Sequence, residues 1–185
     1  MERVERLKKE YNVEVEWRPF ELRPGTPPEG IPRKTRPGEA EPGQLLTGHL
    51  GEMAKEAGLV MRRAPLTPNS RPALEATEYA KDKGKFEEFH DYLMRGFWED
   101  GKNIGDMAVL AEAAKSSGLD WEELSKHLTE RTYSSRVDEQ IDMAHRMGIN
   151  AIPAFIIGRY FFMGAQPYEL FKEVVDKALE DQAAE

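Results

Sequence analysis

Apolar positions recur along the chain at two periods, and the switches between them outline its elements. Val4, Leu7 and Tyr11 share one helical face, so residues 1–11 read as a helix with Asn12 as its stop. Val13-Glu14-Val15-Glu16-Trp17-Arg18 alternates strictly and predicts a strand with one buried face. Residues 19–43 hold seven prolines and four glycines and predict an irregular loop. Residues 44–57 are amphipathic, with Leu45, Leu46, His49, Leu50, Met53, Ala54 and Ala57 on one face and Gly58 as the C-cap. Asn69-Ser70 caps a further helix that has Pro72 in its first turn and a stripe of Ala73, Ala76, Thr77 and Ala80. Four more helical faces follow. Phe86, Phe89, His90, Leu93 and Phe97 form the first, and Asp106 caps Val109, Leu110, Ala113 and Ala114 in the second. Asp120 opens the third with a capping-box pattern before Leu124 and Leu128. Ser134 or Ser135 starts the fourth, with Val137, Ile141 and Ala144, ending near Gly148.

The longest apolar run lies within residues 147–166. Residues 151–157 read as a strand buried on both faces, Gly158-Arg159 as a two-residue turn, and Tyr160-Phe161-Phe162-Met163 as the second strand of a hairpin. Pro153 cannot donate to a sheet ladder, so it belongs at the first position of its strand; local preferences put the Ile152–Pro153 bond in trans. Pro167 opens a last helix with Leu170, Phe171, Val174, Val175 and Leu179, and residues 181–185 are expected to fray.

Composition narrows the chemistry. A length of 185 residues suits one domain with a sizeable core. A net charge of −8, spread over helices, argues against nucleic-acid and acidic-membrane partners. No apolar run reaches the length of a membrane span, and the first residues carry no apolar signal-peptide core, so the expected location is cytoplasmic. There is no cysteine, which removes disulfides, cysteine-ligated zinc and thiol nucleophiles from this chain. His49, His90, His127 and His145 have no metal-ligand spacing, and His49 and His90 are expected as packed or boundary residues. The basic loop residues Arg18, Arg23, Arg33, Lys34 and Arg36 read first as solvated loop charge, with an anion-binding flap as the sharper alternative.

Three stretches carry a family resemblance. Gly148-Ile149-Asn150-Ala151-Ile152-Pro153-Ala154-Phe155 with the hairpin and Gly164-Ala165-Gln166-Pro167-Tyr168, the segment Trp17-Arg18-Pro19-Phe20-Glu21-Leu22-Arg23-Pro24, and Asn69-Ser70-Arg71-Pro72-Ala73-Leu74-Glu75-Ala76 together resemble DsbA-type thioredoxin-fold proteins. The nearest branch is that of FrnE-like and 2-hydroxychromene-2-carboxylate isomerase-like proteins. The resemblance implies an α/β class: a thioredoxin-like fold with an all-helical insertion between the second and third strands, its first strand absent. It also implies one domain over residues 1–185, with the thioredoxin core in 1–20 and 148–185 and the helical insertion in 44–147. In that family the proline is cis and faces the active site, so the resemblance implies that Pro153 is cis here, and the backbone just before it pairs with an extended thiol-containing substrate. Ile152 and Pro153 are therefore the expected substrate-binding residues, joined by Gln166 in the region where glutathione-using relatives bind the γ-glutamyl end.

The family's nucleophile, a Cys-x-x-Cys or a serine, sits at the start of the first long helix, where the helix dipole stabilises a thiolate. No residue of this chain fills that role, so no catalytic residue is assigned, and disulfide exchange is not expected without a thiolate. The resemblance implies a strand and active-site turn ahead of residue 1, which reads as truncation. It also implies that this missing strand would lie between 13–18 and the strand after Pro153. Three ways of completing the sheet follow: a longer parent protein, direct pairing of the two strands, or a second chain giving a homodimer. Three functions stay open: an inactive member of the thiol–disulfide oxidoreductase family that takes a thiol-containing peptide, a glutathione-dependent isomerase or transferase, and a non-catalytic binding module.

Overall fold

The computed structural model describes residues 2–184. In chain order the elements are α1 (Glu2–Glu10), β1 (Ile31–Pro32), α2 (Gly48–Glu56), β2 (Leu66–Thr67), α3 (Arg71–Asp82), α4 (Phe86–Trp98), α5 (Met107–Ser116), α6 (Trp121–Glu130), α7 (Ser134–Arg146), β3 (Ala154–Ile157), β4 (Tyr160–Met163) and α8 (Tyr168–Ala184). They fall into two compact units, residues 1–22 with 140–185, and residues 23–139. None of the described helices is long and apolar enough to cross a membrane.

The first unit is built on α8. Phe171 and Val175 of that helix are buried with Leu7 of α1 and Tyr168, and Phe155, Ile157 and Phe162 of the hairpin pack on them. The hydroxyl of Tyr11 donates to Asp176 at 2.6 Å and accepts from Lys172 at 3.0 Å, tying the end of α1 to α8. Residues 13–18 do not form the expected strand. Val13, Val15 and Trp17 are half-buried while Glu14, Glu16 and Arg18 are exposed, so the alternation survives as burial. A ladder needs a partner, and the described sheets are β1–β2 and β3–β4 alone. Helix α8 continues to Ala184 where fraying was expected from 181; Asp181 is held there by Tyr160 and Arg159, and Glu185 lies outside the described residues.

In the second unit, helices α3 to α6 enclose the larger core, with Tyr79, Phe89, Leu93, Leu110 and Leu124 at its centre. The small residues Ala73, Ala76 and Ala80 allow α3 to sit close to its neighbours. Two caps form as the sequence predicts: Asp106 accepts from the Ala108 amide at 2.8 Å and Asp120 from the Glu123 amide at 3.0 Å. The α3 face also buries two carboxylates that the apolar pattern leaves unmarked. Glu75, only 4% exposed in its side chain, pairs with Arg71 at 3.0 Å and with Arg131 at 3.1 Å. Glu78 pairs with Lys81 and Arg136. Arg71 continues to the Ser134 carbonyl at 3.0 Å and to Asp138, so this network fastens α3 to the first turns of α7.

The helix expected over residues 44–57 starts only at Gly48. Before it, the Leu46 amide donates to the Met61 carbonyl and the Arg63 amide to the Gln44 carbonyl, so residues 44–46 pair antiparallel with 61–63. That extended pairing takes the residues that would have made the first helical turn. Of the expected apolar stripe only Ala54 is buried; Leu45, Leu50 and His49 are exposed. His90 stacks on Phe86 at 5.2 Å, and burial pushes its pKa below the ordinary histidine range.

Candidate functional site

The hairpin and the loop before it bring the sequence-predicted site together. Helix α7 ends at Arg146 in a turn through Gly148, whose φ of +79° favours glycine, and Ile149 is buried just beyond it. Asn150, Ala151, Ile152 and Pro153 then run exposed into β3, and the Ile152–Pro153 bond is cis, against the trans form that local preferences favour. The carbonyl of Pro153 accepts from the Gly164 amide at 2.7 Å, which places the proline opposite Gly164 at the mouth of the hairpin. Gly158 and Arg159 close the other end; Gly158 has φ +57°, and a Cβ there would come to 3.3 Å from Ala178 of α8. Glycine at the first turn position with positive φ is the pattern of a two-residue type II′ turn.

Register decides which groups are free. Ala154 faces Met163, Phe155 faces Phe162, Ile156 faces Phe161 and Ile157 faces Tyr160. The bond from Gly164 to Pro153 makes 153 and 164 a hydrogen-bonded pair, and in an antiparallel ladder such pairs alternate. Residues 155 and 157 therefore spend their backbone groups on β4. The N–H and C=O groups of Ala154 and Ile156 point to the opposite edge, and Ile152 precedes the strand. Among the described residues, no strand pairs with that edge and no backbone hydrogen bond involves Ile152.

The two faces of the hairpin differ. Phe155 stacks on Phe162 at 5.2 Å, and both meet Phe171 edge to face at 4.6 and 4.9 Å. The other face is open: Ile156 is 46% exposed and Phe161 42%, and Ile152, ahead of the strand, is 49% exposed. The strand after Pro153 is thus partly buried on one face where burial on both was expected. It also begins at Ala154 rather than Ala151, because Pro153 brings no amide to a ladder and, among the described residues, no strand lies beside the residues before it.

Gln166 sits at the same end of the hairpin with its side chain engaged. Its Nε2 donates to the Met163 carbonyl at 2.9 Å and its amide to Gly164 at 3.0 Å, which fixes the step from β4 into α8. Ile152 and Pro153 are together at the exposed edge, and Gln166 supports the hairpin mouth. The apolar run could have signalled the open outer face only with the register in hand.

A family model, the DSBA-like thioredoxin domain, matches residues 1–176. The chain is 30% identical over 174 residues to the uncharacterized protein YwbO of Bacillus subtilis, covering 92% of this chain and 83% of that one. Among solved structures it is similar to a probable DsbA oxidoreductase from Streptomyces coelicolor, with a TM-score of 0.65 and 28% identity over 71% of this chain and 58% of that one. It shares its fold with a 2-hydroxychromene-2-carboxylate isomerase, with a TM-score of 0.72 and 13% identity over 98% of this chain and 89% of the other. The fold is thioredoxin-like, with helices α2 to α6 inserted in the sequence between the 13–18 segment and the hairpin, and the chain belongs to the DsbA-like thiol–disulfide oxidoreductase family while carrying, among its 185 residues, no cysteine with which to exchange a disulfide.

Proposed function

We propose that this chain is a peptide-binding member of its family: it takes an extended segment of another polypeptide as an added strand along Ile152, Ala154 and Ile156, and performs no disulfide exchange itself. One observation carries the reading. The edge of β3 presents the backbone groups of Ala154 and Ile156 at alternate positions, Ile152 precedes them with no backbone hydrogen bond of its own, and among the described residues no strand lies beside them, the template on which strand addition works. The exposed side chains of Ile152 and Ile156 supply apolar contact for alternate residues of the incoming strand. The resemblance to DsbA-type proteins supports the same place, since their substrates pair with the backbone just before the proline.

The ligand class is an unfolded or extended polypeptide, bound through main-chain hydrogen bonds and apolar side chains and independent of its thiols. A permanently unfolded, thiol-blocked protein labelled with a fluorophore is the probe. Its anisotropy should rise on addition of the chain. Ile152→Pro removes one donor from the edge without touching any hydrogen bond of the fold, and Ile156→Asp places a charge on the apolar face. Each should weaken binding by about 10-fold or more. Binding that survives both substitutions unchanged would exclude the edge, and sedimentation of the free chain as a dimer would assign the strand's slot to a second copy.

A further inference from the structure

The loop of the second unit holds an arrangement that peptide binding does not use. Arg33 and Arg63 stand on neighbouring, fixed pieces of backbone. The Arg33 amide donates to the Pro65 carbonyl at 3.0 Å, at the end of the β1–β2 pair. The Arg63 backbone is held in the antiparallel pairing with residues 43 and 44, and its Nη2 reaches the Lys34 carbonyl at 3.0 Å, one residue beyond Arg33. The loop itself is built rather than loose. The Thr26 hydroxyl donates to the Arg23 carbonyl at 2.8 Å, and Asn69 Nδ2 donates to the Thr26 carbonyl at 2.8 Å. Gly30 passes so close to β2 that a Cβ would lie 2.9 Å from the Thr67 carbonyl oxygen.

Charge at this place is out of balance. The side chain of Arg63 is only 13% exposed, and its Nε is buried with no hydrogen-bond partner. Arg33 spends its Nε on the Thr67 hydroxyl at 3.1 Å, and no ion pair with a carboxylate neutralises it among the described residues. Burial, then the nearby guanidiniums of Arg63 and Arg23, hold Arg33 below the ordinary arginine range. Among the described residues one carboxylate pairs with these cations: Glu39, 2.8 Å from Arg63 Nη2 and also bonded to the Arg36 amide at 3.0 Å. A buried guanidinium with an unused donor beside a second cation is favourable ground for an ion with several acceptor oxygens.

We propose that Arg33 and Arg63, with Arg23 close by, form a binding site for a small oxyanion, a phosphate or carboxylate group, which displaces Glu39 from Arg63 as it enters. The forked donors of arginine match either group bidentately. Glu39 keeps the site closed when no anion is bound, so it competes with the ligand.

The test follows the arginine Nε–Hε signals of the ¹⁵N-labelled chain by NMR during titration with sodium phosphate and, separately, sodium succinate at matched ionic strength. The expected result is a saturable shift of the Arg63 and Arg33 signals with one or both ions; the ion that shifts them identifies the source of the oxyanion. Arg33→Gln should weaken binding by about 10-fold. Glu39→Gln should tighten it by a similar factor, since it removes the resident competitor. A purely structural role for Glu39 predicts no tightening. No shift with either ion, a shift unchanged in Arg33→Gln, or weaker binding in Glu39→Gln would each overturn the proposal.

Discussion

Replacing Phe171 with alanine is expected to destabilise the unit that carries the hairpin by about 4 kcal/mol. Phe171 is almost fully buried and touches the rings of both Phe155 and Phe162, one from each strand. Its loss removes the transfer free energy of a buried ring, the two edge-to-face contacts, and leaves a cavity that α8 and α1 cannot collapse into while Leu7 and Val175 hold their places. The consequence is local as well as global. A pair of four-residue strands is not stable in isolation, so the hairpin depends on this anchor. Urea unfolding followed by circular dichroism should register the loss. Amide exchange at Phe155 and Ile157 should accelerate before that of α4 and α5. A loss below about 1 kcal/mol would show that α8 is not the floor of the hairpin.

Glu75→Ala is the second large effect, expected to cost about 2–3 kcal/mol. The buried carboxylate is shared by Arg71 and Arg131, and removing it leaves Arg71, itself mostly buried, with an unanswered part of its charge. The figure lies below that of a fully buried pair because Arg131 is exposed and Arg71 keeps Asp138 and Ser134. Glu75→Gln keeps the shape and one acceptor and should cost less than the alanine variant. A double-mutant cycle with Arg71→Ala measures the coupling of this pair within α3 directly, and a coupling near zero would mean that the carboxylate is held by Arg131 rather than by Arg71.

Both effects bear on how much the sequence could say. Phe171 is legible, since it falls on the apolar face that Leu170, Phe171, Val174 and Val175 trace after Pro167. Glu75 is not, because a glutamate on a helix reads as a solvent-facing residue, and its spacing of four from Arg71 is equally common on exposed surfaces. The caps at Asp106 and Asp120 are local chemistry and were legible. The start of α2 depends on a pairing with residues 61–63, a distant match that periodicity within 44–57 does not contain. The same holds for 13–18: alternation fixes which side chains turn inward, while a ladder requires another strand.

The candidate site divides in the same way. The apolar run and the family resemblance single out Ile152 and Pro153, and the hairpin with its Gly158-Arg159 turn is written in plain turn chemistry. Which backbone groups stand free is a matter of parity. It follows only from the bond between Gly164 and Pro153, which sends the even-numbered residues to the open edge. The half-exposed outer face follows from the same geometry, since the run from Ile152 to Ile157 looks uniformly apolar until the register assigns Phe155 inward and Ile156 outward.

Hydrogen exchange of individual amides, with and without a saturating thiol-blocked unfolded polypeptide, tests the strand-addition reading most directly. The reading predicts that exchange at Ile152, Ala154 and Ile156 slows by about 10-fold or more on binding, while Phe155 and Ile157, already bonded to β4, change little. Unchanged exchange at the three even-numbered amides in the bound state, or protection that appears only elsewhere in the chain, would contradict it.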